Sequence, residues 1–191
     1  NSRRGPAANP GDPTAPQRTR LDVRCTRWHE SLHLLPWLRL ARLTLNDPSV
    51  DWEYRIVTRG RKSNAPPVVV VRRMAGEPDD RLAHAREVLE TVTDLGRRAR
   101  LDAVPLFRRL SWTLFTVKDQ TTQKNDLKRD LLDRWTAWLH AGTTLDSLRK
   151  DVDAHPADAG LPEAGYRAAR YAEALAGTWA RTTTEPSDDE A

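Results

Sequence analysis

The stretch WHESLHLLPWLRLARLTLNDPSVDWEYRIVTRGRKSNAPPVVVVRR, from Trp28 to Arg73, decides the fold. Its first half reads as a helix. Leu34, Leu38, Ala41 and Leu45 recur at helical steps, Trp37, Leu40 and Thr44 widen that face, and Arg39 and Arg42 lie on the other side. Pro36 either starts a second helical segment, where a missing N–H does no harm, or kinks one long helix, and Asn46-Asp47-Pro48 ends the run. Then Trp52, Tyr54 and Ile56 alternate with Glu53, Arg55 and Val57, the pattern of a half-buried strand. Val68 to Val71 is unbroken apolar, which suits a strand covered on both faces. Between the two strands lies a cationic turn, Gly60-Arg61-Lys62-Ser63-Asn64.

Outward from this stretch the chain changes character. Residues 1–20 are rich in Pro, Gly, Asn, Thr and Arg and nearly devoid of apolar side chains, so they read as a disordered linker that cannot offset its ordering entropy. Leu21 to Val23 adds at most a short strand. After Arg73, Gly76-Glu77-Pro78 opens a second helix with the stripe Leu82, Ala85, Leu89, Val92 and Leu95. Ser111 to Phe115 begins another element, helix or strand. Residues 126–140 predict a helix with Leu127, Leu131, Trp135 and Trp138 on one side, and Thr143 or Thr144 caps a short helix over Leu145 to Lys150. Pro162 starts a last helix, with Tyr171, Leu175 and Trp179 four residues apart. Residues 182–191 are polar and acidic and read as a disordered tail. The expectation is one α/β domain over 21–181: a small mixed sheet with a hairpin, flanked by several helices.

Composition narrows the class. The chain has 191 residues, 38% of them hydrophobic, with seven Trp to anchor a modest core. A pI near 9.6 points to an acidic partner such as DNA, although the net charge is only +4. The single cysteine, Cys25, excludes an internal disulfide framework and fits a reducing cytoplasm. No apolar run reaches the ~18 residues of a membrane span, so no membrane role is expected. The first residue, Asn1, reads as the start of a piece cut from a longer polypeptide.

The order of features resembles the C-terminal domain of the gamma chain of exodeoxyribonuclease V (RecC). The likeness is carried by Thr26-Arg27, Trp37-Leu38-Arg39-Leu40, Leu43-Thr44-Leu45, Trp52 and Val57-Thr58-Arg59-Gly60-Arg61. It continues through Leu89, Leu95 and Arg98 to Val104-Pro105-Leu106-Phe107 and Ser111-Trp112, and closes on Arg170-Tyr171-Ala172 to Trp179. The chain departs from that pattern at Arg109-Leu110 and across Trp138 to Tyr166. The resemblance implies a degenerate PD-(D/E)XK nuclease domain without an active site. It implies a DNA-guiding and subunit-docking role in a RecBCD-type helicase–nuclease for double-strand break repair and recombination. The implied partners are DNA and the helicase-nuclease beta and helicase alpha subunits. Mg²⁺ and ATP are expected in those subunits and no cofactor in this chain.

The residues themselves bear on lost catalysis. A nuclease of this kind holds Mg²⁺ with an Asp near one strand end and an acid-x-Lys on the next strand. Here the first strand offers Asp51 and Glu53, but the second ends in Arg72 and Arg73, which repel a divalent cation. No catalytic residue is therefore expected. The absence of a Gly-rich phosphate loop places ATP hydrolysis elsewhere. Arg59, Arg61, Lys62, Arg72, Arg73, Arg97, Arg98, Arg100, Arg108 and Arg109 form basic clusters that suit phosphates, against the plainer reading of a solvated surface. Trp52, Trp135, Trp138 and Trp179 sit at core spacing and are expected to be structural.

The rival reading is a small zinc-dependent peptidase built on His29-Glu30-x-x-His33, in which two His one helical turn apart bind Zn²⁺ and the Glu activates water. Against it stand Arg27 just upstream, the lack of sequence ahead of the motif for a backing sheet, and the alternative use of these residues as a helix start. Cys25 and His29 are spaced as a nucleophile and base, but a lone thiol reads more simply as small buried filler. His84, His140 and His155 have no partners at ligand spacing. A third reading is a stand-alone helical interaction module without a DNA role.

Overall fold

The structure, a computed structural model, describes residues 17–27, 29–59, 66–153 and 155–185. The cationic turn with Arg61 and Lys62, most of the expected linker, and the acidic tail beyond Glu185 lie outside the described residues. The fold is mixed α/β, and the chain divides into two compact units. Among the described residues, one unit holds Gln17–Arg27, the described part of Leu35–Glu87, and the end from Thr182 to Glu185. The other holds His29–Leu34 and Val88–Arg181.

The first unit is built on a four-stranded sheet in the order β1-β2-β3-β4. Strands β1 (Gln17–Arg27) and β2 (Asp51–Arg59) are parallel, so a crossover must join them, and helix α1 (Leu34–Asn46) supplies it. Strand β3 (Val68–Met74) runs antiparallel to β2, with Glu53 opposite Arg73 and Thr58 opposite Val68. The sheet is thus mixed, with the hairpin expected from the sequence. Two boundaries differ from expectation. The strand anticipated at Leu21 starts at Gln17, and the expected tail begins inside the fold.

Thr182 is fully buried, and Thr183–Thr184 forms β4 against Arg73 and Met74. The reason lies in Trp37, which is also fully buried. Its indole N–H needs an acceptor once removed from water, and it donates to Thr182 Oγ1 at 3.2 Å. The Ala75 amide donates to the Thr182 carbonyl at 2.9 Å. Helix α1 buries Pro36, Trp37, Leu40, Ala41 and Thr44, so its inner face centres on the residues expected only to widen it. Pro36 is the third residue of α1, where no intrahelical N–H bond is lost. Val69 is 56% exposed, so β3 is not covered on both faces as its apolar run suggested.

The unit division falls within helix α2 (Pro78–Leu101), which starts at Pro78 with Asp79 and Asp80 in its first turn and carries Arg98 and Arg100 in its last. These charges complement the helix dipole at both ends. Gly76 turns the chain into this helix at φ +86°, and a Cβ there would stand 2.6 Å from the Asp80 Cβ.

The second unit is helical. Its core gathers Phe107, Leu110, Leu127, Leu145, Leu148 and Ala168 from α3 (Leu110–Thr116), α4 (Gln120–Asp130), α6 (Leu145–Lys150) and α7 (Arg167–Ala172) with the loop before α3. Helix α3, left open between helix and strand by its sequence, is helical and central: it contacts α4, α7 and the π-helical turn Glu173–Gly177. Thr144 caps α6 through a reciprocal pair with Ser147, as expected. The helix expected over 126–140 is broken in two. Helix α4 ends at Asp130, and α5 (Arg134–Leu139) restarts after Asp133, whose carboxylate accepts from the amides of Trp135 and Thr136. Among the described residues no helix is long and apolar enough to cross a membrane.

Candidate functional site

On β2, Asp51, Glu53 and Arg55 share one face because side chains alternate along a strand. The register sets Arg73 directly across from Glu53. The result is a closed ionic cluster in which every carboxylate oxygen of the two acids meets a guanidinium. Glu53 Oε1 lies 2.7 Å from Arg55 Nε, and Oε2 lies 3.4 Å from Arg73 Nε. Asp51 Oδ2 lies 3.3 Å from an Arg73 terminal nitrogen, and Oδ1 lies 3.0 Å from one of Arg81. Glu53 has no exposed surface, and Arg73 is nearly as buried. The alternation along β2 predicted Glu53 on the outer face. The cluster explains its burial, because a carboxylate enters the interior only when paired.

This arrangement bears on metal chemistry. Mg²⁺ needs carboxylate oxygens with open lone pairs at short range. Here guanidinium groups occupy those positions, and a divalent cation ~4 Å from one such group is repelled by about 8 kcal/mol at an effective dielectric of ~20. The charge that ends the hairpin therefore does more than repel from the surface: it reaches in and ties up the acids.

His29 and His33 do not share a helical face. His29 to His33 belong to a 3₁₀ turn (Glu30–His33) and its cap, ahead of α1. Three residues per turn put positions four apart about 120° round the axis, whereas an α-helix brings them to about 40°. A strand, β1, does precede the motif, contrary to the sequence argument, but the two rings have other uses. His29 Nδ1 accepts from the Ser31 amide at 3.1 Å, and its Nε2 lies 3.5 Å from Asp126. His33 is buried, its ring 4.5 Å from that of Trp179 and 6.3 Å from that of Trp112. Among the described residues no group of three or more His, Cys, Asp or Glu side chains is placed to hold a metal ion.

A second ionic network, within the helical unit, was invisible to spacing arguments. Arg167 Nε contacts both oxygens of Asp158 at 3.0 and 2.9 Å, and its Nη2 reaches Asp102 at 2.6 Å. The Tyr171 hydroxyl donates to Asp158 at 3.0 Å. Burial, and then the bond to Asp158, push the Tyr171 phenol up to about 12. The hydrogen bond from Arg167 holds Asp102 below the usual carboxylate range. This network clasps the 156–166 loop to the end of α2 and the start of α7.

Helix α5 is the largest departure from expectation in this unit. Trp135 is 68% exposed and Trp138 is 73% exposed, and Leu132 and Leu139 are exposed beside them. The break at Leu131–Asp133 resets the helical phase, so the stripe that runs through Leu127 does not continue into α5. None of the six residues of α5 is buried. Next to it lies a cleft of about 360 Å³ bordered by Arg100, Asp102, Leu106, Thr136, Leu139 and His140. The His140 ring packs on Phe107 at 4.8 Å, and burial holds its pKa below the ordinary histidine value.

No family model, curated protein or solved structure matches this chain.

The residues themselves therefore carry the functional argument. The ten basic positions separate into distinct groups. Arg59, Arg100 and Arg108 are exposed. Arg61 and Lys62 lie outside the described residues. Arg72 pairs with Glu185, and Arg73 is held in the carboxylate cluster. Arg97 is exposed but paired with Asp94 at 2.7 Å. Arg98 is buried, bonded to Asp94 at 2.5 Å and to the Ala157 carbonyl. Arg109 is half-buried, and its amide donates to Asp130. Trp52 is half-buried and donates its indole N–H to the Asp47 carbonyl at 3.1 Å, and Trp179 packs edge-on with Trp112 at 5.6 Å. These two are structural as expected, and Trp135 and Trp138 are not.

Proposed function

We propose that this chain is a non-catalytic, nuclease-like domain that guides DNA and docks the helicase-nuclease beta and helicase alpha subunits of an exodeoxyribonuclease V type complex in the bacterial cytoplasm. The observation that carries the reading is the Asp51–Glu53–Arg55–Arg73–Arg81 cluster. In a degenerate PD-(D/E)XK domain the strand acids lose their metal and need new partners to stay buried, and arginines from the neighbouring strand and helix are suitable partners. The RecC-like order of motifs from Thr26-Arg27 to Trp179 supports the same reading, as does a pI near 9.6. Under it, Mg²⁺ and ATP act in the partner subunits. Of the ten basic positions read from the sequence, the exposed Arg59, Arg100 and Arg108 are candidates to meet phosphates, and Arg61 and Lys62 are proposed to act with them.

The test joins three measurements on the full chain. Purified protein should show no Mg²⁺-dependent cleavage of linear DNA. It should co-purify with the two partner subunits when co-expressed with them. Charge reversal at Arg59, Arg61 and Lys62 should weaken DNA binding or assembly. Cleavage lost on Asp51→Asn, or assembly and binding both untouched by the reversals, overturns the proposal.

A further inference from the structure

We propose that the exposed face of α5 binds single-stranded nucleic acid, with Trp135 and Trp138 stacking on successive bases and Arg108, Arg129 and Arg134 holding the phosphates. This inference stands apart from the nuclease-like reading, because it needs only the geometry of the helical unit.

Two large indoles one helical turn apart lie open to water on a six-residue helix with no fully buried residue. Such a pair is costly to display unless something covers it. The charge around it says what. The Arg134 guanidinium lies 5.8 Å from the Trp135 ring centroid. Lys128 and Arg129 are exposed on the last turn of α4, just ahead, with Arg129 3.7 Å from Asp126 at one terminal nitrogen. Hydrogen bonds from Thr136 first, and then the charge of the exposed Arg108, hold the Asp133 carboxylate below its ordinary value. Arg100 is exposed on the rim of the adjoining cleft.

The acids of this region are otherwise engaged. Asp133 caps α5, Asp126 and Asp130 are buried, and Asp102 is held by Arg167. An aromatic pair with one guanidinium on its ring and further exposed cations nearby in the chain, with the neighbouring carboxylates internally bonded, complements a polyanion that also offers flat apolar faces. Duplex DNA hides those faces in its own stack, and a single strand presents them. A protein partner would use the same tryptophans but would have to bring a strongly acidic rim.

The test uses the full chain and a labelled oligo(dT) of about 16 nucleotides, with a blunt hairpin duplex as comparison. The expected result is tighter binding of the single strand, with quenched tryptophan emission. Trp135→Ala and Trp138→Ala should each weaken it about 5- to 150-fold, with the salt dependence unchanged. Trp135→Phe should keep most of the affinity, which guards against a misfolded alanine variant. Arg108→Ala and Arg134→Ala should each make the log–log salt slope shallower by about 0.7. Single-strand affinity unchanged in the double tryptophan variant, or no binding of oligo(dT) at low salt, overturns the inference. So does self-association of the wild-type chain that the double variant abolishes, since that makes the face a protein contact. A failure here leaves subunit co-purification intact, so it is distinguishable from failure of the proposed function.

Discussion

Arg73 stands directly across from Glu53 in the β2–β3 ladder, and its guanidinium also reaches Asp51. One side chain therefore couples two acids that lie on a single strand face. Removing it leaves Glu53 buried with one contact fewer and Asp51 without one of its two guanidinium contacts among the described residues. Unpairing a buried ion pair costs about 3–5 kcal/mol. Arg73→Ala should destabilise the protein by that order in urea denaturation. Arg55 is 46% exposed at its side chain, so Arg55→Ala should cost less, about 1 kcal/mol. Equal losses for the two variants would show that the cluster is not organised around Arg73.

Tyr171 gives a signature on the alkaline side. Its phenol is raised to about 12 in the folded protein, above the value of ~10 for an exposed tyrosine. The folded state therefore holds this proton more tightly than the unfolded one. The associated stability is complete below about pH 10 and is lost as pH rises towards 12, on the order of 2 kcal/mol. Tyr171→Phe should flatten that part of the stability profile and remove a late-titrating group from the tyrosinate absorbance.

Asp102 acts on the acid side with the opposite sign. The hydrogen bond from Arg167 lowers its pKa, so the unfolded chain takes up this proton first as pH falls. The contribution is complete above the ordinary aspartate value near ~4 and disappears as pH falls through the lowered one. Asp102→Asn should therefore narrow the gap between wild type and variant as pH falls from neutral into the acid range, read by thermal melting at each pH.

Asp130 ties two helices together. Its carboxylate accepts from the amides of Arg109 and Leu110, the N-terminal donors of α3, while sitting at the end of α4. Burial raises its pKa, so the charge itself is disfavoured there. Asp130→Ala should cost about 1–3 kcal/mol, because buried amides lose their acceptor. Asp130→Asn keeps one acceptor oxygen without the charge and should cost less. Denaturation midpoints of the two variants decide the order.

The tryptophans divide into two stability classes. Trp112 is 1% exposed, and Trp112→Ala should cost about 3–5 kcal/mol through the cavity it leaves. Trp135→Ala and Trp138→Ala should change stability by no more than about 0.5 kcal/mol. A large loss at either α5 position would mean that it is packed rather than displayed.

What the amino-acid order determined by itself was local. Pro78 after Gly76-Glu77 starts α2, Thr144 caps α6, Asp47-Pro48 stops α1, and the alternation over Trp52 to Ile56 makes β2. Each depends on atoms only a few residues apart, whose sterics and hydrogen bonds act whatever the rest of the chain does. The acids Asp51 and Glu53, and the arginines that oppose them, were legible as residue types with the correct sign of effect.

Only the tertiary structure decided how those residues combine. Arg73 meets Glu53 across 20 positions and Arg81 meets Asp51 across 30, distances set by strand register and helix placement. Thr182 enters the fold because the Trp37 indole, 145 residues away, must find an acceptor in the interior. Trp135 and Trp138 carry helical spacing, but the Asp133 cap resets the phase and turns them to water. Periodicity states which residues share a face. Whether that face meets a core or solvent depends on what else the chain brings beside it.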